Sequence, residues 1–341
     1  MRHGSALLKA IDDMGGAAMV MRRRALLGLA ALGAAAMSVP AAAQAQHYPS
    51  KPIKLIVPYP PGAATDNITR AFGLELSKVM GQPVVVENRP GAGSSVGILA
   101  AKAQPADGYT LLVRAEGFYS AKLATPNLAY EFSDFEILAP LALSSYAFIV
   151  AADRGWKKLD DLKSARREID MGSLDLGVGV YSMLAARMSR ELGIRSRTIP
   201  FKGGAEGLTA LLGGQIDAYF TTIGTTQTVK DNPKVRILAT TGLLGSNNFL
   251  PGVKTFQELG LPRMEFSSSY SLNVRSDTPA PIKEQLARAV QQALASDAMQ
   301  SARRQHYLEP YTGSLEDYRR DQARVLKEFE AAAAEDGKAA K

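Results

Sequence analysis

The stretch Lys54–Gly93, KLIVPYPPGAATDNITRAFGLELSKVMGQPVVVENRPGAG, decides the fold class. Lys54–Val57 is a short apolar strand that stops at Pro58, Pro60 and Pro61, because proline has no N–H to give a ladder. Asp66–Met80 then spaces Ile68, Phe72, Leu76 and Val79 three or four residues apart, which lines one face of a helix. Val84–Val86 makes a second strand, and Glu87–Gly93 is a loop. Working outward, Val96–Ala103 reads as a helix and Tyr109–Val113 as a third strand. Strands and helices alternating at this spacing predict an α/β fold with a mostly parallel sheet covered on both faces.

A second series follows. After the apolar segment Ala147–Ala151 the pattern predicts helix Leu159–Arg167, strand Ile169–Gly172, helix Tyr181–Leu192, strand Arg197–Pro200, helix Ala205–Leu212, and strands Ala218–Thr221 and Val235–Thr240. Two βα series in 341 residues make two lobes, since a single core seldom organises a chain of this length. Ala147–Ala151 and Tyr270–Val274 bracket the second series and are expected to cross between the lobes as a hinge; helices Ile282–Leu294 and Leu315–Ala333 then close the first lobe. The expected organisation is a presequence over residues 1–45, lobe one over 46–149, lobe two over 150–270, and a return to lobe one over 271–341.

The first residues are an address. Arg22–Arg24, an apolar run from Ala25 to Val39 and the small residues Ala43-Gln44-Ala45 give the order of a cleavable export signal. The apolar run is shorter than the roughly 20 residues needed to span a bilayer. Met21 is the expected start, because Asp12 and Asp13 do not suit the basic leader. Export by the general secretory or twin-arginine route places the mature chain, from about Gln46, in the periplasm.

Composition removes whole classes of chemistry. The chain has no cysteine, so disulfides, thiolate nucleophiles, Cys-ligated zinc and a lipid-anchored N-terminal cysteine are excluded. The net charge is +7, but residues 1–45 carry five basic and two acidic side chains, leaving +4 interspersed along the rest; no basic stripe points to nucleic acid. Only His47 and His306 remain after the leader. Gly93-Ser94-Ser95-Val96-Gly97 has the form of a nucleophile elbow, yet no credible histidine base accompanies Ser95. Gly91-x-Gly93-x-x-x-Gly97 approximates a dinucleotide fingerprint, but Asn88-Arg89-Pro90 separates it from the strand it should follow directly. No enzymatic activity and no cofactor are expected.

What remains is binding. In open α/β sheets ligands sit beyond the carboxyl ends of strands, where helix N-termini offer unpaired N–H groups and partial positive charge. Gly62, Ala63, Ala64, Thr65 and Asp66 lead into the first helix, and Gly93, Ser94 and Ser95 into the second. Helix capping by Thr65 or Asp66, and a tight turn at the glycines, are the plainer accounts of both loops. In the second lobe Asp175, Gly177, Val178 and Gly179 precede a helix, and Thr221 and Thr222 end a strand. Loops of two lobes facing one cleft form a clamshell.

Tyr48-Pro49-Ser50-Lys51-Pro52, Val57-Pro58-Tyr59-Pro60-Pro61-Gly62, Gly81–Gly93, Asp107–Leu112, Pro200–Gly204 and Leu212–Asp217 closely resemble the Bug, or TctC-type, solute-binding family of tripartite tricarboxylate transporters. The resemblance implies a type II periplasmic-binding-protein (Venus flytrap) fold that hinges shut on a small-molecule carboxylate. In the family the loop matching Gly62–Asp66 grips one carboxylate, and the membrane subunits of the transporter receive the ligand from a monomeric carrier. Against the family pattern, Asp175 and Val180 stand where serines are usual, and Arg114 where a small residue is common. Arg114 would then meet a ligand carboxylate and Asp175 an amine or hydroxyl; alternatively the two pair with each other or face solvent. Loss of two serines turns the expectation from a plain dicarboxylate toward an aromatic or amino-bearing acid, with Phe118, Tyr119, Tyr181 and Phe220 as walls. The alternatives are a periplasmic sensor subunit of the same fold and an exported hydrolase using Ser95.

Overall fold

Ile53–Val57 (β1) buries every side chain but Lys54, as expected of a parallel strand covered on both faces. The computed structural model describes residues 48–175, 179–201, 203–242 and 249–339; the export segment and Gly177 and Val178 of the candidate site lie outside these. In chain order the elements after β1 are α1 (Ala64–Met80), β2 (Val84–Asn88), α2 (Ser95–Lys102), β3 (Thr110–Arg114), α3 (Gly117–Ala124) and β4 (Phe135–Ala151). Then come β5 (Ile169–Ser173), α4 (Val180–Leu192), β6 (Ser196–Pro200), α5 (Gly204–Leu212), β7 (Ala218–Thr222), the short α6 (Ile223–Thr226) and β8 (Val235–Thr240). Strand β9 (Ser267–Arg275) and helices α7 (Ala280–Leu294), α8 (Asp297–Gln305) and α9 (Leu315–Ala339) complete the chain.

Two sheet halves share one strand. In the first, β2, β1 and β3 are parallel and β9 runs antiparallel beside β3. In the second, β6, β5 and β7 are parallel. Strand β4 belongs to both: Phe135–Ser145 pairs with β9, and Tyr146–Ala151 is flanked by β7 and β8. The strand expected at Ala147–Ala151 is therefore only the far end of a 17-residue one. Pro140 hid the rest; it is registered with Ser271 between two register slips, which leave Leu138 and Leu141 out of the pairing on either side of it, where the ladder is already interrupted.

Tyr270–Val274 does not cross between the halves. It lies inside β9, which pairs only with β3 and with the first-half portion of β4. Of the two expected crossings, β4 makes one, at Ser145/Tyr146. The helix expected at Leu159–Arg167 is a 3-10 segment, Leu159–Ser164. Its two apolar side chains, Leu159 and Leu162, are buried, and a spacing of three matches the three-residue turn of a 3-10 helix.

On α1, Ile68, Phe72 and Leu76 are fully buried, and the helix packs on α7 and α8. A second core on the opposite face joins Ile98, Leu112, Phe118, Tyr119, Tyr130 and Phe135. In the other half, neighbouring strand residues separate to opposite faces. Phe148 and Phe220 enter a core with Met171, Leu184 and Phe256, whereas Ile149 and Tyr219 enter one with Leu208 and Leu211.

Candidate functional site

The loop after β1 delivers the chain to α1 with its helix end unfilled. Ala63 occupies the capping position and offers no side-chain acceptor. The first helical hydrogen bond is Asn67 N–H to the Ala63 carbonyl at 2.9 Å, so the N–H groups of Ala64, Thr65 and Asp66 belong to the unpaired first turn. The Asp66 carboxylate is bonded within the protein. It accepts from Gly62 N–H at 2.9 Å, Arg70 Nε at 3.0 Å and Asn88 Nδ2 at 2.9 Å. It thereby ties the loop and α1 to the end of β2. Burial would raise its pKa, but these bonds and the Arg70 charge hold it below the ordinary carboxylate value.

The second loop closes against the first. Ala92, Gly93 and Ser94 all have positive φ, and Ser94 and Ser95 are buried. Ser95 donates its hydroxyl to the Ala92 carbonyl at 2.9 Å. The Ser94 and Tyr59 hydroxyls converge on Gly117, where a Cβ would lie 2.5 Å from Ser94 Oγ and 2.9 Å from Tyr59 Oη; glycine is the residue that permits this approach. Burial raises the Tyr59 phenol above its usual pKa.

Beyond β3, Glu116 turns inward. It accepts from Ser269 N–H at 2.6 Å. Burial pushes its carboxyl up to about 7, against the bonds from Ser269 and Ser268 and the charge of Arg114. Ser268 shares a hydrogen bond of 2.5 Å with the Tyr146 hydroxyl. Tyr270, pushed up to about 12 by burial, faces Ser144 and Thr65 with its hydroxyl. From Tyr146 the cluster continues edge-on to Tyr181, 5.7 Å between ring centres, and so reaches α4. A polar, tyrosine-rich group thus sits where β4 passes from one sheet half to the other.

The N-terminus of α4 is arranged unlike that of α1. The Asp175 carboxylate fills it, accepting from Tyr181 N–H at 2.8 Å, Ser182 N–H at 3.3 Å, Ser173 Oγ at 3.0 Å and, in a short contact, Ser182 Oγ. Gly179 makes room: a Cβ there would lie 2.4 Å from Asp175 Oδ2. Thr222 caps α6, accepting from Thr225 N–H at 3.2 Å. Thr221 is buried in β7 opposite Ala147.

Of the expected site residues, Ser94 meets Tyr59 of the loop after β1 and Thr65 meets Tyr270, with Asp175 next to Tyr181 on the other side of the tyrosines. Arg114 lies within electrostatic reach of Glu116 but is held by other partners. It is 5% exposed and gives its N–H groups to Tyr119 Oη at 3.2 Å and Ser271 Oγ at 3.3 Å. Its guanidinium sits 4.4 Å over the Phe118 ring. It neither faces solvent nor pairs with Asp175. Phe118 and Phe220 are core residues, so of the expected walls Tyr181 is the one in the cluster. Tyr59, Glu116, Tyr146, Ser268 and Tyr270 were not anticipated. Glu116 had a readable signal, since it follows the carboxyl end of β3, where ligands sit in such sheets. Tyr146 and Ser268 had none, because a long antiparallel pairing brings them together.

Residues 68–331 match the family described as the tripartite tricarboxylate transporter family receptor, TctC. A UPF0065 protein of Agrobacterium vitis is 36% identical over 265 residues, covering 75% of each chain. The crystal structure of a TctC solute-binding protein from Polaromonas superposes with a TM-score of 0.71 at 26% identity, over 84% of this chain and 99% of that one. The structure of the periplasmic binding protein BugD gives 0.67 at 26% identity, over 86% and 99%.

Proposed function

The chain belongs to the TctC family of periplasmic solute-binding proteins, and from that premise we propose that it captures a small organic acid by closure of its two lobes and passes it to the membrane subunits of a tripartite transporter. We place it in the periplasm, exported by the segment that ends at Ala45 and working as a monomer without a cofactor. The observation that carries the reading is the open N-terminus of α1. A carboxylate there receives the N–H groups of Ala64, Thr65 and Asp66 and the positive end of the helix dipole, with no cationic side chain required. Thr65 and Ser94 supply hydroxyls beside it. Ser95, the nucleophile of the hydrolase alternative, has its hydroxyl committed to Ala92, which gives that alternative no support.

Closure follows if contacts to the ligand from the far lobe exist only in the shut form. A melting-temperature screen of the purified chain against mono-, di- and aromatic carboxylates, amino acids and nucleotides tests the reading. A true ligand at about a hundred times its Kd adds roughly 2.7 kcal/mol. For a mature chain of about 300 residues that amounts to a rise of roughly 4 °C. Stabilisation by a nucleotide and by none of the acids would sink the proposal.

A further inference from the structure

We propose that Asp175 is a specificity-determining residue that makes the second-lobe end of the cleft refuse anions, so that the ligand carries one carboxylate and an uncharged or cationic far end. The inference rests on the carboxylate reading above and deepens it. The two helix ends that flank the tyrosine cluster are not equivalent. At α1 the first-turn N–H groups have no capping side chain. At α4, Tyr181 N–H, Ser182 N–H, Ser182 Oγ and Ser173 Oγ already surround a carboxylate that belongs to the protein.

A second carboxylate on a ligand would have two routes to those donors. It would displace Asp175, stranding a half-buried charge without its hydrogen bonds, or sit beside it as a like charge; both are unfavourable. Glu116 adds another acid on the first-lobe side of the same tyrosines, joined to Tyr146 through Ser268. Arg114, the cation expected to answer a carboxylate, gives its N–H groups to Tyr119 and Ser271 instead. Among the described residues the cluster therefore presents acids, phenols and hydroxyls, with the Arg114 charge, held by Tyr119 and Ser271, reaching Glu116; the Asp175 end suits an amine, a hydroxyl or a ring at the far end of the ligand.

Calorimetric titration with matched acids of equal length tests this: butyrate against succinate, hexanoate and 6-aminohexanoate against adipate, and benzoate against terephthalate. For whichever pair binds, the unmodified chain should prefer the single carboxylate by roughly tenfold or more. Asp175→Ala, which empties the four donors, should move that ratio toward the dicarboxylate by a similar factor. Asp175→Asn keeps an acceptor without the charge and should give a smaller shift in the same direction, and it stands as the fallback if the alanine variant does not fold. Equal affinity for both members of a pair in the unmodified chain, or an unchanged ratio in a folded variant, overturns the role of Asp175 while leaving the carboxylate reading intact. Binding of no acid to any of the proteins removes the carboxylate reading and this inference together.

Discussion

Glu116 is where a single residue most strongly couples the site to solution conditions. Its carboxyl is raised from 4.5 to about 7 by burial, so the folded state holds a proton that the unfolded chain releases. The contribution of Glu116 to stability is therefore greatest below about pH 4.5, falls as the pH rises toward 7 and is level above it, while carboxylates held low by ion pairs, such as Asp66, oppose it in acid. A shift of that size corresponds to something on the order of 3 kcal/mol. Glu309 is likewise raised to about 7 by burial and contributes in the same window. The expected outcome is that Glu116→Gln flattens the fall in melting temperature between pH 5 and 8 without abolishing it, Glu309 supplying the remainder. A pH profile identical to that of the unmodified protein would show that Glu116 is ionised and solvated in the folded state.

At the scale of elements, α1 has two jobs. Its inner face anchors the first lobe through Ile68, Phe72 and Leu76, all fully buried, and its N-terminus presents the open N–H groups. Because the anchor and the N-terminus are separate parts of one rigid rod, damage to the anchor should appear first as lost stability. Phe72→Ala removes a ring from a close-packed interior and should cost about 3–5 kcal/mol, read as an earlier midpoint in urea, while ligand affinity of the fraction still folded stays near that of the unmodified chain. A large loss of affinity with unchanged stability would mean that Phe72 positions the loop and not the helix. Strand β4 also has two jobs, completing both sheet halves and bringing Tyr146 beside Ser268.

For the whole molecule, two sheet halves are joined by a continuous strand and by chain returning from the second half to β9, and the proposed closure places its bend at that junction. The clusters around Phe118 and around Tyr219 share no buried residue, but Phe329 of α9 enters the core around Phe148, so bending at Ser145/Tyr146 would have to slide α9 across the second half. Small-angle scattering should register a decrease in radius of gyration when a stabilising acid is added, and the Asp175→Ala variant should show the same decrease with its own preferred ligand. Stabilisation by a ligand with no change in scattering would argue for a cleft already shut before binding.

The sequence by itself determined the fold class, because proline-terminated apolar runs and three-to-four spacing are local signals and each βα unit announces itself within about thirty residues. It also placed the loops that follow β1 and β2, because proline and glycine there break the periodic pattern. It did not reveal β4 beyond Ala147–Ala151, where Pro140 masks a bulged strand, or that Tyr270–Val274 stays in the first half. Nor could it choose among the partners of Arg114 and Asp175. Whether a charged side chain meets a ligand, a neighbour or a helix end depends on groups brought close only by packing: Ser271 lies 157 positions from Arg114. Tertiary structure alone decided that Arg114 reaches Ser271, whereas the Asp175 carboxylate fills the N-terminus of α4 through Ser173, Tyr181 and Ser182, all within seven residues of it.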